Sequence, residues 1–583
     1  MRDIRRLISY LGPYRKDMVL GALFIIVESF FELVIPVLIA DLIDVGVIGR
    51  DVDYIFQKGI QMGICALLAL ITGLLYARFA ARAAYGWGAK IREAEYERMQ
   101  KYAFANLDHF ETSSLITRMT TDVTVLQNAV NGGFRPLVRG PVMLIMGVAL
   151  SFWMNARLAL IFVVCAPVLG IILFFIVREV APMYGRLQRV VDRLNNTVQE
   201  GLTAIRAVKA FVRGSYEEEK FQCVNQELTD TSRRTFHFAV MNLPAFQLIM
   251  YVAIVLILWF GGNMILSSSM QVGELTGFLS YVMQVMNSLM MIANVFLLLT
   301  RSLASARRIS EVLDERLVLT SPEHAEKKVP NGSIDFENVS FKYREDAKEY
   351  ALSGVSLHFQ AGKTVGILGG TGAAKTTLVQ LIPRLYDATE GSVRVGGRDV
   401  REYDLRALRD AVGMILQKNV LFSGTVRDNL KWGAPDADDE TLWKACRMAC
   451  ADEFLERLPK GLDTDLGQGA NNISGGQKQR LCIARALLKK PKILIFDDST
   501  SAVDTATEGK IRNALAELSD VTKIIIAQRI TSIMNTDQIV ILDDGRVHAV
   551  GTHKELLAAD SIYQEIYRSQ MKGEDEYGET GDR

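Results

Sequence analysis

Net charge is missing from this sequence: 66 lysines and arginines stand against 66 aspartates and glutamates in 583 residues. A general polyanion binder needs an excess of positive charge, so nucleic acid is not an expected partner. Cysteine is scarce as well, and six in so long a chain make no disulfide framework. Cys446 and Cys450 are one helical turn apart, but no His/Cys set surrounds them, and they read as buried small apolar residues. The first residues, MRDIRRLISYLGPYRKD, lack a short apolar run ending at a small-residue cleavage site, so no removable signal peptide is expected. What is abundant is apolar residues, 49%, with a mean hydropathy of +0.16. That is too apolar for a typical soluble enzyme and too polar for a chain that is all membrane. A membrane part joined to a soluble part gives such an average. The length corresponds to three or four domains of about 150 residues.

Apolar runs of spanning length all lie in the first part. A hydrocarbon core of about 30 Å needs about 20 helical residues. Six segments qualify: approximately Met18–Ala40, Gly59–Ala80, Leu137–Met154, Ala156–Val177, Leu243–Gly262 and Val272–Leu299. The third is short and shares a tight turn, Met154-Asn155, with the fourth. Two long connections are rich in bases, among them Arg82, Lys90, Arg92, Arg98, Lys101 and Arg118, then Arg186, Arg189, Arg193, Arg206, Lys209, Arg213, Arg233 and Arg234. Asp41–Lys58 has more acids than bases, and Asn263–Gln271 has no base. Positive charge stays in the cytoplasm, so both termini and both long loops are expected there. Those loops are poor in proline and rich in helix formers, so they read as spanning helices running on past the membrane.

From about Ser333 short β-branched strands (Val365–Leu368, Val412–Leu416, Ile493–Phe496, Lys523–Ile526) alternate with helical stretches, a doubly wound α/β pattern. The expected fold is a membrane α-helical domain of six transmembrane helices with long cytoplasmic extensions (1–319), a linker (320–333), an α/β P-loop ATPase domain (334–571) and a disordered acidic tail (572–583). Strand Thr364–Leu368 runs into Gly369-Gly370-Thr371-Gly372-Ala373-Ala374-Lys375-Thr376-Thr377, close to a P-loop. Its glycines let backbone N–H groups close around a phosphate. Lys375 reaches the β- and γ-phosphates of ATP, and the Thr376 hydroxyl ligates Mg²⁺. Ala374 stands where the pattern has glycine, and its methyl crowds the phosphate approach without forbidding it. Ile493-Leu494-Ile495-Phe496-Asp497 is an apolar strand ending in an acid, with Asp497 holding Mg²⁺ through water.

Gln417 in MILQKNVLFSGTVRDNL, then ISGGQKQR with Ser474 and Gly476, then FDDSTSAVD follow the P-loop in that order. This order resembles the ATPase domains of ABC transporters, and six spans before one such domain resemble the exporter half-transporters. The resemblance covers nearly the whole chain. It implies that Tyr343 stacks on adenine, that Gln417 joins Thr376 and Asp497 around Mg²⁺, and that Asp504 belongs to the catalytic set. It also implies that two ATPase domains dimerise head to tail, Ser474 and Gly476 acting on ATP bound by the opposing chain.

Two further positions, beyond Ala374, depart from that pattern. After Asp497, which with its strand makes the Walker B arrangement, the family usually has the glutamate that polarises water; here it is Asp498, whose carboxylate is drawn back by more than about 1 Å, whereas a general base must come within about 2.6–3.2 Å of its proton or act through water. The switch histidine position is Gln528, which cannot carry an imidazole's proton chemistry. Both fall in one composite site, while ISGGQ, which matches the family's signature motif and holds Ser474 and Gly476, is intact. The expected protein is therefore one subunit of a heterodimeric, multidrug-like exporter in a bacterial cytoplasmic membrane, moving a hydrophobic or amphipathic small molecule, cationic or lipid-like. A homodimeric exporter or lipid flippase, and a regulatory ATP-binding subunit, are the alternatives. Stretches at His109–Leu115 and Ala210–Gly214 resemble the transverse helices by which exporters contact their ATPases. Glu28 and Glu32, spaced i and i+4, share a face inside the first span, either lining a cation-binding substrate cavity or pairing within the bundle. Met283, Met286, Met290 and Met291, with Phe278 and Tyr281, suit either an adaptable cavity or plain packing.

Overall fold

The computed structural model describes residues 2–498 and 505–578. The chain divides into two compact units, one made of Met1–Gln100 and Glu111–Glu315, the other of Lys101–Phe110 and Arg316–Arg583. In chain order the helices up to this division are α1 (Arg2–Ser9), α2 (Arg15–Asp41), α3 (Val52–Gln100), α4 (Phe104–Leu107), α5 (Thr112–Thr117), α6 (Val123–Met154), α7 (Ala156–Thr203), α8 (Ile205–Ala210), α9 (Gly214–Val240), α10 (Asn242–Leu266) and α11 (Val272–Asp314).

Among the described residues, six helices are long and apolar enough to cross a membrane. Helices α3 and α7 have 49 and 48 residues. At about 1.5 Å per residue each is about 70 Å long, more than twice the hydrocarbon core, so both run well past the bilayer. The tight turn after α6 is set by Asn155, whose side-chain oxygen accepts from the N–H groups of Arg157 (3.1 Å) and Leu158 (3.3 Å) and caps α7. Asp44 does the same for α11, accepting from the N–H groups of Gly273 (2.6 Å) and Glu274 (3.1 Å). Gly273 must stay bare, since a Cβ there would lie 2.2 Å from the carbonyl oxygen of Ala40. The core of this unit packs Leu33, Phe162, Phe278, Tyr281, Val285 and Met286 together, and the Tyr281 hydroxyl donates to the carbonyl of Leu33 at 2.7 Å. Phe278, Tyr281 and Met286 are thus packing residues, while Met283 is half exposed.

The acids of the first span are also packed rather than free. Glu28 is buried and takes Arg135 and Arg139 of α6 as partners, and Glu32 pairs with Arg139. The two arginines sit four residues apart on α6, as the two acids do on α2, so the pairs form a ladder between the helices. Of the two roles open to these acids, the pairing favours the one within the bundle, because two guanidinium groups face the two carboxylates. It also explains the short third run: Arg135 and Arg139 interrupt the apolar stretch of α6 where they serve this ladder.

The second unit contains β1 (Ile334–Phe341), β2 (Leu352–Phe359), β3 (Thr364–Gly369), α12 (Lys375–Gln380), β4 (Glu390–Val395), β5 (Arg398–Asp399), α13 (Leu405–Ala411), β6 (Val412–Ile415), α14 (Val426–Lys431), α15 (Asp439–Met448), α16 (Asp452–Leu455), α17 (Gly475–Leu488), β7 (Ile493–Asp497), α18 (Thr505–Ala516), β8 (Thr522–Ile526), β9 (Gln538–Asp543), β10 (Arg546–Gly551), α19 (His553–Ala559) and α20 (Ser561–Gly578). A six-stranded sheet runs β10-β9-β3-β8-β7-β6, parallel except for the β10 edge. Four of its six strands, β3, β6, β7 and β8, are those expected. A second, antiparallel sheet, β2-β1-β4-β5, was not. Its sign in the sequence is the Gly396-Gly397 pair, which takes positive φ between Val395 and Arg398 and closes a two-residue hairpin.

Cys446 and Cys450 are buried in the helical part of this unit. The stretch read as a linker, 320–333, is docked rather than loose: the N–H of Glu326 donates to the carbonyl of Glu402 (3.0 Å), Asp404 N–H donates back to Glu326 (2.9 Å), and Val329 is buried. Residues 101–110 also belong here. Tyr386 donates to Asp108 at 2.8 Å and meets the Phe104 ring, and the Asn106 amide donates to the carbonyl of Arg316 at 2.7 Å. Phe104, Asn106 and Asp108 thus anchor this stretch, which runs on through His109 and Phe110. Around Ala210–Gly214, Phe211 and Val212 stand exposed. Helix α20 carries the backbone on to Gly578, so residues 572–578, expected as a disordered tail, continue the helix.

Candidate nucleotide site

Register brings the site together. Asp497 at the end of β7 pairs with Ile526 at the end of β8, and Ile526 pairs with Ile367 of β3. The P-loop, the Walker B acid and the segment Ala527–Gln528 therefore leave the parallel sheet side by side at its carboxyl edge, where open α/β sheets bind ligands. A cleft of about 350 Å³ lies there, lined by Tyr343, the P-loop from Thr371 to Thr377, Gln417, Asp497, Asp498 and Gln528, with Ala351 and Ile526 completing the wall. Nothing in the sequence marked Ala351 or Ile526, because both act only as apolar surface.

Gly372 has φ +87° and Ala374 φ +63°, and these left-handed residues turn the chain from β3 into α12. The Ala374 methyl thus adds a backbone penalty as well as bulk, since a left-handed conformation costs an L-residue about 1–2 kcal/mol. Gly370 and Gly372 face open space, so a ligand can approach their backbone. Lys375 Nζ donates to the carbonyls of Gly369 (2.8 Å) and Gly370 (2.7 Å), folding its ammonium over the loop. Burial pushes the Lys375 pKa down, against the pull of Asp498 and Asp497. The Thr376 hydroxyl donates to Asp497 Oδ1 at 2.8 Å. Asp497 is 2% exposed, and burial pushes its pKa up, against the Thr376 hydrogen bond. One hydroxyl and one carboxylate in contact, with the amide oxygen of Gln417 on the same wall, form an all-oxygen donor set, which suits Mg²⁺.

Asp498 has φ +46°, strained for a non-glycine residue. The Gln528 side-chain amide donates to Asp498 Oδ2 at 2.7 Å. The two positions that depart from the exporter pattern are thus bonded to each other. Tyr343 is 45% exposed, and its hydroxyl shares a hydrogen bond of 2.8 Å with Thr377 Oγ1. Its ring is steadied edge-on by Phe341 and Tyr386, at centroid distances of 4.9 and 5.3 Å. Ser474 and Gly476 do not line this cleft. Ser474 caps α17 in a reciprocal box with Gln477 (2.9 and 3.3 Å) and is exposed. Asp504 lies outside the described residues.

The description "ABC transporter transmembrane region" fits residues 18–289, and "ABC transporter" fits residues 352–501. An uncharacterized ABC transporter ATP-binding protein of Bacillus subtilis, YfiB, is 36% identical over 97% of this chain and 99% of its own length. An ATP-dependent lipid A-core flippase of Desulfotalea psychrophila is 31% identical over 97% of this chain and 99% of its own. The fold is that of a bacterial Atm1-family ABC exporter solved with ATP bound, at a TM-score of 0.80 and 24% identity, covering 95% of this chain and 98% of that one.

Proposed function

Because this chain belongs to the ABC transporter family, as a multi-pass exporter with its ATPase domain on the same polypeptide, we propose that it is one subunit of a heterodimeric exporter whose own ATP site turns over slowly. The observation that carries this reading is the hydrogen bond from Gln528 to Asp498. A hydrogen bond donated to a carboxylate stabilises its charged form and so weakens it as a base toward the attacking water. Here a short carboxylate accepts from a neutral amide that has no proton to exchange. In this reading the P-loop amides and Lys375 bind the phosphates and Tyr343 holds the adenine. Thr376, Asp497 and Gln417 would hold Mg²⁺, which supplies charge neutralisation at the β- and γ-phosphates. Ser474, exposed at the start of α17, and the half-buried Gly476 would complete the partner's competent site. Both termini and the long helical extensions lie in the cytoplasm in this reading, as the loop charges favour. Residues 101–110 would pass motion from α3 to the ATPase domain, held there by the Asp108–Tyr386 bond.

For the cargo we favour an amphipathic, lipid-like molecule over a cation. Glu28 and Glu32 are engaged by Arg135 and Arg139, which removes the motive for cation binding. A lipid flippase stands among the relatives, and this also keeps a homodimeric flippase as the second reading.

The test is ATP hydrolysis by the transporter purified with its partner. Asp498→Asn should change steady-state turnover by less than about twofold, and Gly476→Asp should lower it by about 10²–10³. Equal damage from both would make the two sites alike and remove the asymmetric reading.

A further inference from the structure

The C-terminal helix holds the segment that carries Gln528. Gln570 of α20 bonds the backbone on both sides of Arg529: its amide nitrogen donates to the carbonyl of Gln528 at 2.9 Å, and its amide oxygen accepts from the N–H of Ile530 at 2.8 Å. A single planar amide thus spans three residues with both of its functions used. The helix is itself seated on this segment, because Tyr563 is buried with Ala527, Ile530 and Leu368 in one cluster, and Ile566 and Tyr567 pack against it. Leu368 lies in β3, directly before the P-loop. The far side of the segment faces the cleft, where the Gln528 side chain reaches Asp498, and Asp498 in turn acts on Lys375. Lys375 marks the β- and γ-phosphate end of a P-loop site. The sheet's hold on this backbone ends one residue earlier, where the N–H of Ala527 donates to the carbonyl of Ile367 at 3.2 Å, and the next helical turn begins only at Ile530.

We propose that Gln570 is a positioning residue of the ATP site: by clamping the backbone at Gln528 and Ile530, it fixes the Gln528 amide at the γ-phosphate end of the cleft and makes retention of ATP, but not of ADP, depend on the C-terminal helix. The inference rests on the nucleotide reading of the cleft and is independent of the heterodimer. Gln570 touches no nucleotide in this account and acts only through Gln528.

The experiment measures binding of two probes, Mg·ADP and the Mg complex of a non-hydrolysable imido analogue of ATP, to the full-length chain in lipid nanodiscs. Gln570→Ala should weaken the ATP analogue about tenfold, the size expected from losing one to two net hydrogen bonds, and leave ADP within twofold. Gln570→Glu keeps the acceptor for Ile530 but not the donor for Gln528. It should weaken the analogue by a smaller factor, and it carries the test if the alanine variant unfolds. Gln528→Ala should give the same split, and the double variant should lose no more than either single one, since both changes remove one interaction. Equal weakening of both probes, no change in either, or additive losses would overturn the proposal. Lys375→Ala reports on the cleft itself. Nucleotide binding by the unaltered chain that Lys375→Ala leaves intact would remove the P-loop reading, and this inference with it. Binding lost with Lys375→Ala but insensitive to Gln570 would remove this inference alone.

Discussion

Ala374 carries a methyl group on a backbone with φ +63°, at a P-loop position where glycine is usual. Ala374→Gly relieves about 1–2 kcal/mol of left-handed cost and forfeits about 0.4–1 kcal/mol by loosening the unfolded chain. The net is a gain on the order of 0.5 kcal/mol, so the unfolding midpoint should rise by about 1–2 °C for a domain this size. Thermal unfolding of the purified chain without nucleotide checks it, and a fall would place the cost elsewhere. Asp497 gives a pH signature. Burial raises its pKa above the ordinary 3.8, so without metal the folded state holds the proton more tightly than the unfolded one. Stability from this group is complete below the unfolded pKa and is lost as pH rises through the folded pKa. In the proposed site Mg²⁺ would take the place of that proton, so Mg·ATP should stabilise the protein more as pH rises through the same window. Melting curves between about pH 4 and 7, with chelator and with Mg·ATP, should therefore diverge upward. Asp497→Asn should flatten the chelator curve in that window and abolish the Mg²⁺ response.

Elements meet through ladders and caps more than through single contacts. The α2–α6 ladder sets Glu28 and Glu32 against Arg135 and Arg139. Removing one partner of a buried pair leaves a charge unanswered, a loss of about 3–5 kcal/mol. Arg135 is 41% exposed, so Glu28→Gln should fall near the low end, about 3 kcal/mol. Adding Arg135→Gln should recover part of that loss, as coupled neighbours do. Thermal stability in detergent for the two single variants and the double one decides it. If Glu28→Gln instead spares stability and selectively lowers transport of cationic compounds, the acids serve the cargo rather than the bundle.

At the scale of the whole molecule the asymmetry becomes an assembly question. If the proposed asymmetry holds, this chain should hydrolyse ATP poorly by itself, because its own base position is weak and its signature serves the partner's site. ATPase activity of the chain purified alone should therefore stay at least about tenfold below that of the same chain purified with a second, different half-transporter, the two sites sharing one transition-state donor set. Robust turnover by the single chain would favour the homodimer.

Composition and local order carried a long way. Six apolar runs, a P-loop after a strand and an acid closing a second strand are local features, and each is decided by neighbours within about 20 residues. They were enough for the membrane helices, the parallel sheet and the lining of the cleft from Thr371 to Thr377. What depended on the tertiary structure was every relation between residues distant in sequence. Arg135 and Arg139 lie more than 100 positions from the acids they neutralise, Tyr386 lies 278 from Asp108, and Gln570 lies 42 from Gln528. A carboxylate in an apolar run reads the same whether a cation or a neighbouring helix answers it, and only packing supplies the partner. Likewise Asp498 and Gln528 are two separate departures along the chain. The parallel register of β7 and β8 sets them side by side, and their hydrogen bond then makes them one feature.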